Sequence, residues 1–377
     1  MKPFGIILLA SERSGSNLLR TLLGNHSSIS APLAPHLIKI FYPIKHYYLN
    51  LSRKSNNKAL LQDMLQVVNH PFSNWKLKLE YNHKEIESLE IYSVVRMMDY
   101  IYKKEAERNQ KFFYCSKGIN TFRFINEIRK EDPTLKFIHL VRDPRDVIAS
   151  FMKQKSSLNS SYDAVLQWKK QQKLLIESKK NSGFSCMTIR YEDLISNTST
   201  IMDKIMLELG LPPDPKCYET SPSNKESTRS TYWKNLSQPI MVKNRNKFKE
   251  VLSAEDILII ETLAQDEMKE YGYSPISSQN WKLTRESINF INSQKQTRKE
   301  QAENNINEHI ETVDSRQQLI KKIIDKRRIK YLSSIGYMDR VKNYIKFNMY
   351  KVIKRYFFQY LGSHRIIFII RNYINMS

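Results

Sequence analysis

The seven residues Ser11-Glu-Arg-Ser-Gly-Ser-Asn17 have the make-up of a loop that holds a phosphate. An apolar run, Gly5-Ile-Ile-Leu-Leu-Ala10, precedes them, and Leu18, Leu19, Leu22 and Leu23 follow at helical spacing. A short loop between a strand and a helix turns backbone N–H groups and the positive end of the helix dipole toward one point. Gly15 permits close backbone approach, and Arg13 adds a fixed charge. Ser14, Ser16 and Asn17 add side-chain donors, with Leu18 in the opening turn behind them. A nucleotide kinase or triphosphatase would need Gly-x-x-x-x-Gly-Lys-Ser/Thr, with lysine on the phosphates and a hydroxyl on magnesium. That lysine is absent. The plainer reading, a polar turn before a helix, is disfavoured by the flanking pattern.

A second group is Val141-Arg-Asp-Pro-Arg-Asp-Val-Ile-Ala-Ser150. Arg142 leaves a strand, and Ser150 lies about two turns into the next helix. An arginine and a hydroxyl so placed suit a second phosphate. Arg145 and Asp146 read equally well as a first-turn ion pair of purely structural value.

Together these motifs resemble the sulfotransferases that use 3′-phosphoadenosine-5′-phosphosulfate (PAPS), with the motif spacing of the carbohydrate and tyrosylprotein enzymes, not the cytosolic ones. The family's first signature loop reads like Ser11 to Leu19 and binds the 5′-phosphosulfate; its second reads like Arg142 to Ser150 and binds the 3′-phosphate. A third match, Arg190-Tyr-Glu-Asp-Leu194, follows a strand and implies that Tyr191 lies near the adenine. A looser fourth match, Trp233 to Ile240 with Asn244 to Phe248, is similar to the cofactor-capping segment. Gln238 stands where tyrosylprotein sulfotransferases carry a lysine, which leaves that contact to Ser237 or Lys243. The resemblance covers about residues 4–275. It implies a Rossmann-like α/β fold, in-line sulfuryl transfer, and no metal, because a sulfuryl group carries less charge than a phosphoryl group and Arg and Lys can serve.

Two side chains remain to be assigned. Lys117, expected directly after a strand, matches in Cys115-Ser-Lys117 the lysine of a similar tyrosylprotein sulfotransferase segment, and the resemblance gives it the bridging oxygen, beside Arg13. Its bland reading is an exposed lysine at a strand end. The acceptor must lose a proton, so a base is required. Many relatives place a glutamate about twenty residues after the loop arginine; here Ser30 to Leu37 holds no carboxylate, and His36 is its one strong base. A helix-capping or core histidine is the alternative. Glu12, which inside the loop would repel the cofactor if it pointed inward, and His26, which reads as structural, are weaker candidates for the base.

The elements that must position these groups alternate. Strands are expected at 5–10, 112–116, 135–141 and 184–190, with helices after the loops at 11–17, 117–121 and 142–145 and after Arg190. That is the pattern of a parallel sheet covered on both faces. Residues 50–111 carry helical patterns but no recognisable chemistry, and a helix at 255–271 closes the domain. Three domains follow: a sulfotransferase domain over 1–275, a polar helical linker over 276–315, and a basic amphipathic helical extension over 316–377. The last holds fifteen Lys and Arg against two acidic residues.

Composition sets the outer limits. The chain has 377 residues, a formal net charge of +23 and only nine glycines, which argues against Gly-rich repeats and for an anionic partner. Three cysteines with no metal spacing imply a reducing, cytoplasmic setting. No apolar run approaches the roughly 20 residues needed to span a bilayer. Over 329–374, Val341, Tyr344, Ile345, Met349, Val352, Ile353 and Tyr356 recur at helical spacing among lysines, as in a helix lying on an anionic membrane. The same stripe would also suit packing on the catalytic domain. Nucleic acid is disfavoured because no recognition motif accompanies the charge. The acceptor is expected to be a carbohydrate or glycolipid. A catalytically silent anion- or membrane-binding protein is the alternative class.

Overall fold

A computed structural model describes residues 4–118, 121–153, 160–220, 234–278, 280–303 and 308–335. Five strands form one sheet: β1 (Gly5–Ala10), β2 (Ile29–Ser30), β3 (Phe113–Gly118), β4 (Lys136–Val141) and β5 (Met187–Arg190). Their order is β2-β3-β1-β4-β5, and every pairing is parallel. The chain leaves β1 for one edge and later crosses to the other, so the crevice above β1 is where the strand order reverses.

The helices are α1 (Ser16–Asn25), α2 (Leu37–Phe41), α3 (Lys54–Asn69), α4 (His83–Ser88), α5 (Val94–Arg108), α6 (Ile125–Glu131) and α7 (Pro144–Met152). They continue as α8 (Ser161–Ser182), α9 (Tyr191–Ser196), α10 (Thr198–Leu209), α11 (Ala254–Leu263), α12 (Gln265–Glu270), α13 (Arg285–Glu303) and α14 (Glu308–Ser334). Both faces of β1 are covered, as a parallel sheet requires. Ile6, Leu8 and Ala10 join a core with Leu19, Leu22 and Leu23 of α1 and Met202, Ile205 and Met206 of α10, while Ile7 and Leu9 are buried as well. A second core lies among α7, α8 and α11, around Val147, Ile148, Trp168, Ile259 and Ile260.

The α/β expectation holds, and its boundaries move. Lys117 lies inside β3, not after it. The last strand begins at Met187, three residues later than its apolar run. The expected helix at 255–271 is two helices broken at Ala264. β2 has no signal of its own in sequence; it exists because Ile29 and Ser30 pair with Phe113 and Tyr114. The polar stretch after residue 275 forms α13, and Gln294 ties it to the start of α8 and to α11, accepting from the Ser161 amide (3.0 Å) and donating to Asp256 (2.7 Å).

The chain divides into two compact units, residues 1–321 and 322–377. The apolar stripe from Val341 to Tyr356 lies outside the described residues. Among the described residues no helix is long and apolar enough to cross a membrane.

Candidate active site

All five strands deliver a candidate residue at their C-terminal ends. From β1 the chain enters Ser11–Gly15; β2 leads into Ala31–His36; β3 carries Lys117; β4 ends before Arg142 and β5 before Tyr191.

The first loop is shaped by its own backbone. Arg13 has φ +64° and Gly15 φ +88°. Gly15 caps α1 in this left-handed conformation without a side-chain cap, so the first-turn amides of Ser16, Asn17 and Leu18 face the loop with no intrahelical partner. Ser14 is fully buried and donates its hydroxyl proton to Ser11 O (2.6 Å). The Ser14 side chain thus ties the loop to its own backbone. Ser11 Oγ donates to Gln171 (2.7 Å) and accepts from Gln172 (3.1 Å), which bolts the loop to α8.

The two phosphate motifs meet. Arg13 Nε donates to Ser150 Oγ at 2.9 Å, and Arg142 Nη1 donates to Arg13 O at 3.2 Å. The Arg142 guanidinium stacks 4.4 Å from the centre of the Tyr191 ring, and its Nη2 donates to Asn244 O (3.0 Å). The side-chain amide of Asn244 donates to Tyr191 OH at 2.7 Å. A Cβ on Gly15 would run into Cδ2 and Cε2 of Tyr191, so only glycine lets this ring sit against the loop. Asn244 was quoted in the sequence only as part of a segment; here it links Arg142 with Tyr191.

Across the cleft, Lys117 Nζ donates to Asn17 Oδ1 at 2.6 Å. Lys117 and His36 line one small cavity with Ser116, Met98 and Thr121. His36 caps α2 with φ +57° and ψ +40° and makes no side-chain cap hydrogen bond. Burial holds its pKa well below 6.5, and the charges of Lys117, Arg316 and Lys39 push it the same way. Burial and the neighbouring cations thus both favour the neutral imidazole. His26 is structural: fully buried, it accepts from the Ser28 amide at Nδ1 and reaches Pro212 O from Nε2. Ser237 ends a 3-10 turn packed against α1, and Lys243 is exposed one residue before Asn244.

Arg145 and Asp146 do not form the expected pair. Arg145 lies buried between Asp143 (2.7 Å) and Glu261 (2.6 Å), while Asp146 accepts the amides of Asn246 (2.8 Å) and Phe248 (3.0 Å). Pro144 at the first helical position and Asp143 at the cap start α7 and fix this arrangement. Among the described residues no group of three His, Cys, Asp or Glu could hold a metal ion.

A parallel sheet with a glycine-bearing loop at its switch point and a second basic motif beside it makes up a phosphate-loop-like α/β fold. The chain matches the sulfotransferase family over residues 3–215, more than half its length, and belongs to that family. Sulfuryl transfer is its reaction class. Among solved structures, it is similar to the sulfotransferase domain from the curacin biosynthetic pathway: 20% identity, TM-score 0.49, covering 73% of this chain and 99% of that one. The sulfotransferase domain from the Synechococcus PCC 7002 olefin synthase gives 18%, 0.47, 72% and 95%. Sulfotransferase STF9 from Mycobacterium avium gives 12%, 0.38, 72% and 76%. No curated protein matches the chain.

Proposed function

We propose that the protein transfers a sulfuryl group from PAPS to a hydroxyl of a carbohydrate or glycolipid. The observation that carries this reading is the closure of Arg13 on Ser150, with Arg142 bonded to the Arg13 carbonyl, which brings the two basic motifs together on one crevice. The residues fit such a donor. The Arg142 Nε is buried with no hydrogen-bond partner, and the first-turn amides of α1 have no side-chain cap.

In this reading the amides of Gly15 to Leu18, with Arg13, hold the 5′-phosphosulfate end. Arg142 and Ser150 hold the 3′-phosphate, Tyr191 flanks the adenine, and Ser237 and Lys243 belong to the capping segment. When bound, PAPS supplies an activated sulfuryl group whose leaving oxygen is a phosphate oxygen. Lys117, steadied by Asn17, places a positive charge where negative charge develops on that bridging oxygen. His36 takes the acceptor's proton on a neutral ring nitrogen; the same depression that keeps it neutral makes it a weaker base, so Lys117 must supply part of the stabilisation. The fifteen Lys and Arg among residues 316–377 suit an acceptor carried on an anionic surface.

Calorimetric titration with PAP, the desulfated product, tests the donor site, with ATP titrated alongside in the absence of magnesium. The expected result is micromolar PAP binding, lost in Arg142→Ala of normal melting temperature, and no binding of ATP. A folded protein that ignores PAP would sink the reading and leave a silent anion-binding protein in its place.

A further inference from the structure

The connection from β2 to α2, Ala31-Pro-Leu-Ala-Pro-His36, is held by its carbonyls at alternate positions. Arg20 Nη1 of α1 donates to Ala31 O at 2.6 Å. Trp75 Nε1, beyond the end of α3, donates to Leu33 O at 2.8 Å. Arg316 Nη2 of α14 donates to Pro35 O at 2.7 Å. Pro32 and Pro35 have no N–H to offer, so carbonyls are the handles by which the loop can be gripped.

Arg316 is itself seated. Its guanidinium carbon lies 4.6 Å from the centre of the Phe72 ring, and the neighbouring Ser315 Oγ is 3.3 Å from His70 Nε2. A planar guanidinium can stack on a ring and donate in its own plane at once, which an ammonium cannot. The residue after Pro35 is His36, in a left-handed conformation that a non-glycine residue keeps only where its surroundings over-determine it.

We propose that Arg316 is a positioning residue for sulfuryl transfer: by latching Pro35 it holds His36 beside Lys117 and completes the acceptor side of the cleft. This rests on the reading of His36 as the base. The latch comes from α14, far beyond residue 215, where the family match ends. Lys117 from β3, Arg316 from α14 and Lys39 from α2 are cations whose charges act on His36. Removing Arg316 withdraws a cation and loosens the loop, and both changes raise the His36 pKa. A lysine at 316 keeps the charge but loses the stacked geometry.

The test is a proton NMR titration of the His36 imidazole in the full-length protein, assigned through the resonance lost in His36→Gln. The wild-type midpoint is expected below 6.5. Arg316→Gln should raise it by about half a unit or more, and Arg316→Lys by less. PAP affinity should stay within about twofold, since the donor side is untouched. Should Arg316→Gln fail to fold, Arg316→Lys and Phe72→Leu carry the comparison. Variants with native melting and an unmoved midpoint would overturn the latch. The base reading fails by a different result: PAP release from PAPS undiminished in His36→Gln, with the midpoint still answering to Arg316.

Discussion

Gly15 is constrained twice, by a φ of +88° that L side chains rarely adopt and by the Tyr191 ring lying where a Cβ would project. Gly15→Ala must therefore move either the loop backbone or the ring that stacks on Arg142. The expected outcome is a drop in PAP affinity of more than about tenfold and a loss of about 1–3 kcal/mol in urea unfolding. Gly183 makes the control. It also has a positive φ, +57°, but an added Cβ there meets nothing within 4 Å. Gly183→Ala should cost only about 1 kcal/mol of backbone strain and leave PAP binding alone. Equal effects of both variants on PAP affinity would show that the Tyr191 contact is irrelevant to the donor site. At this scale the sequence was most informative. Arg13, Gly15, Arg142 and Ser150 were marked by residue type and spacing and Tyr191 by the family resemblance, and the fold brings them together. Sequence could not show that the Ser14 hydroxyl donates to Ser11 O, because a hydroxyl in a loop looks the same whether it faces a ligand or its own backbone.

At the scale of elements, α7 does more than present Ser150. Asp146 on its buried side accepts two amides from the segment Asn244 to Phe248, whose first residue also supplies the carbonyl for Arg142 and the amide for Tyr191. An aspartate facing two N–H donors has no spare proton to clash with either. Asp146→Asn would turn an NH2 toward one of them and leave a buried donor unsatisfied. PAP affinity is expected to fall about tenfold, because the segment that caps Arg142 loses its anchor. Calorimetry on a variant of normal helicity would check this, and an unchanged affinity would detach the segment from the donor site. None of this was readable in the sequence, where Arg145 and Asp146 suggested a pair with each other. Acceptors for distant backbone amides leave no spacing signal. β2 escaped notice for a related reason: two residues carry no periodicity, and only the neighbouring β3 makes them a strand. The long strands were legible because buried parallel strands read as apolar runs bounded by breakers.

The whole molecule is strongly basic, and the charge is uneven. Fifteen of its 61 Lys and Arg fall in residues 316–377, against two of its 38 acidic residues. The second compact unit begins at Lys322, and α14 runs to Ser334. Removal of residues 336–377 leaves α14 and Arg316 in place and should leave PAP affinity unchanged. Binding to phosphatidylserine-rich vesicles, measured by co-sedimentation at low salt, is expected to be lost on truncation. In the full chain it should weaken steeply toward 0.5 M salt, as charge attraction does when screening shortens to a few ångströms. Vesicle binding retained by the truncated chain would show that residues 336–377 are not what binds the vesicles. The sequence showed this charge block clearly but not that its first arginine reaches back to Pro35, a partner 281 residues earlier.

That separation has a bearing on how the protein comes into being. The residues proposed to hold the donor all precede residue 245, whereas the loop bearing His36 is gripped on its last carbonyl only once Arg316 exists. At about 5–20 residues per second, a nascent chain emerging from the ribosome waits on the order of tens of seconds between making the loop and making its latch. If the proposed reading holds, a polypeptide in that interval carries every donor residue before the His36 loop is latched.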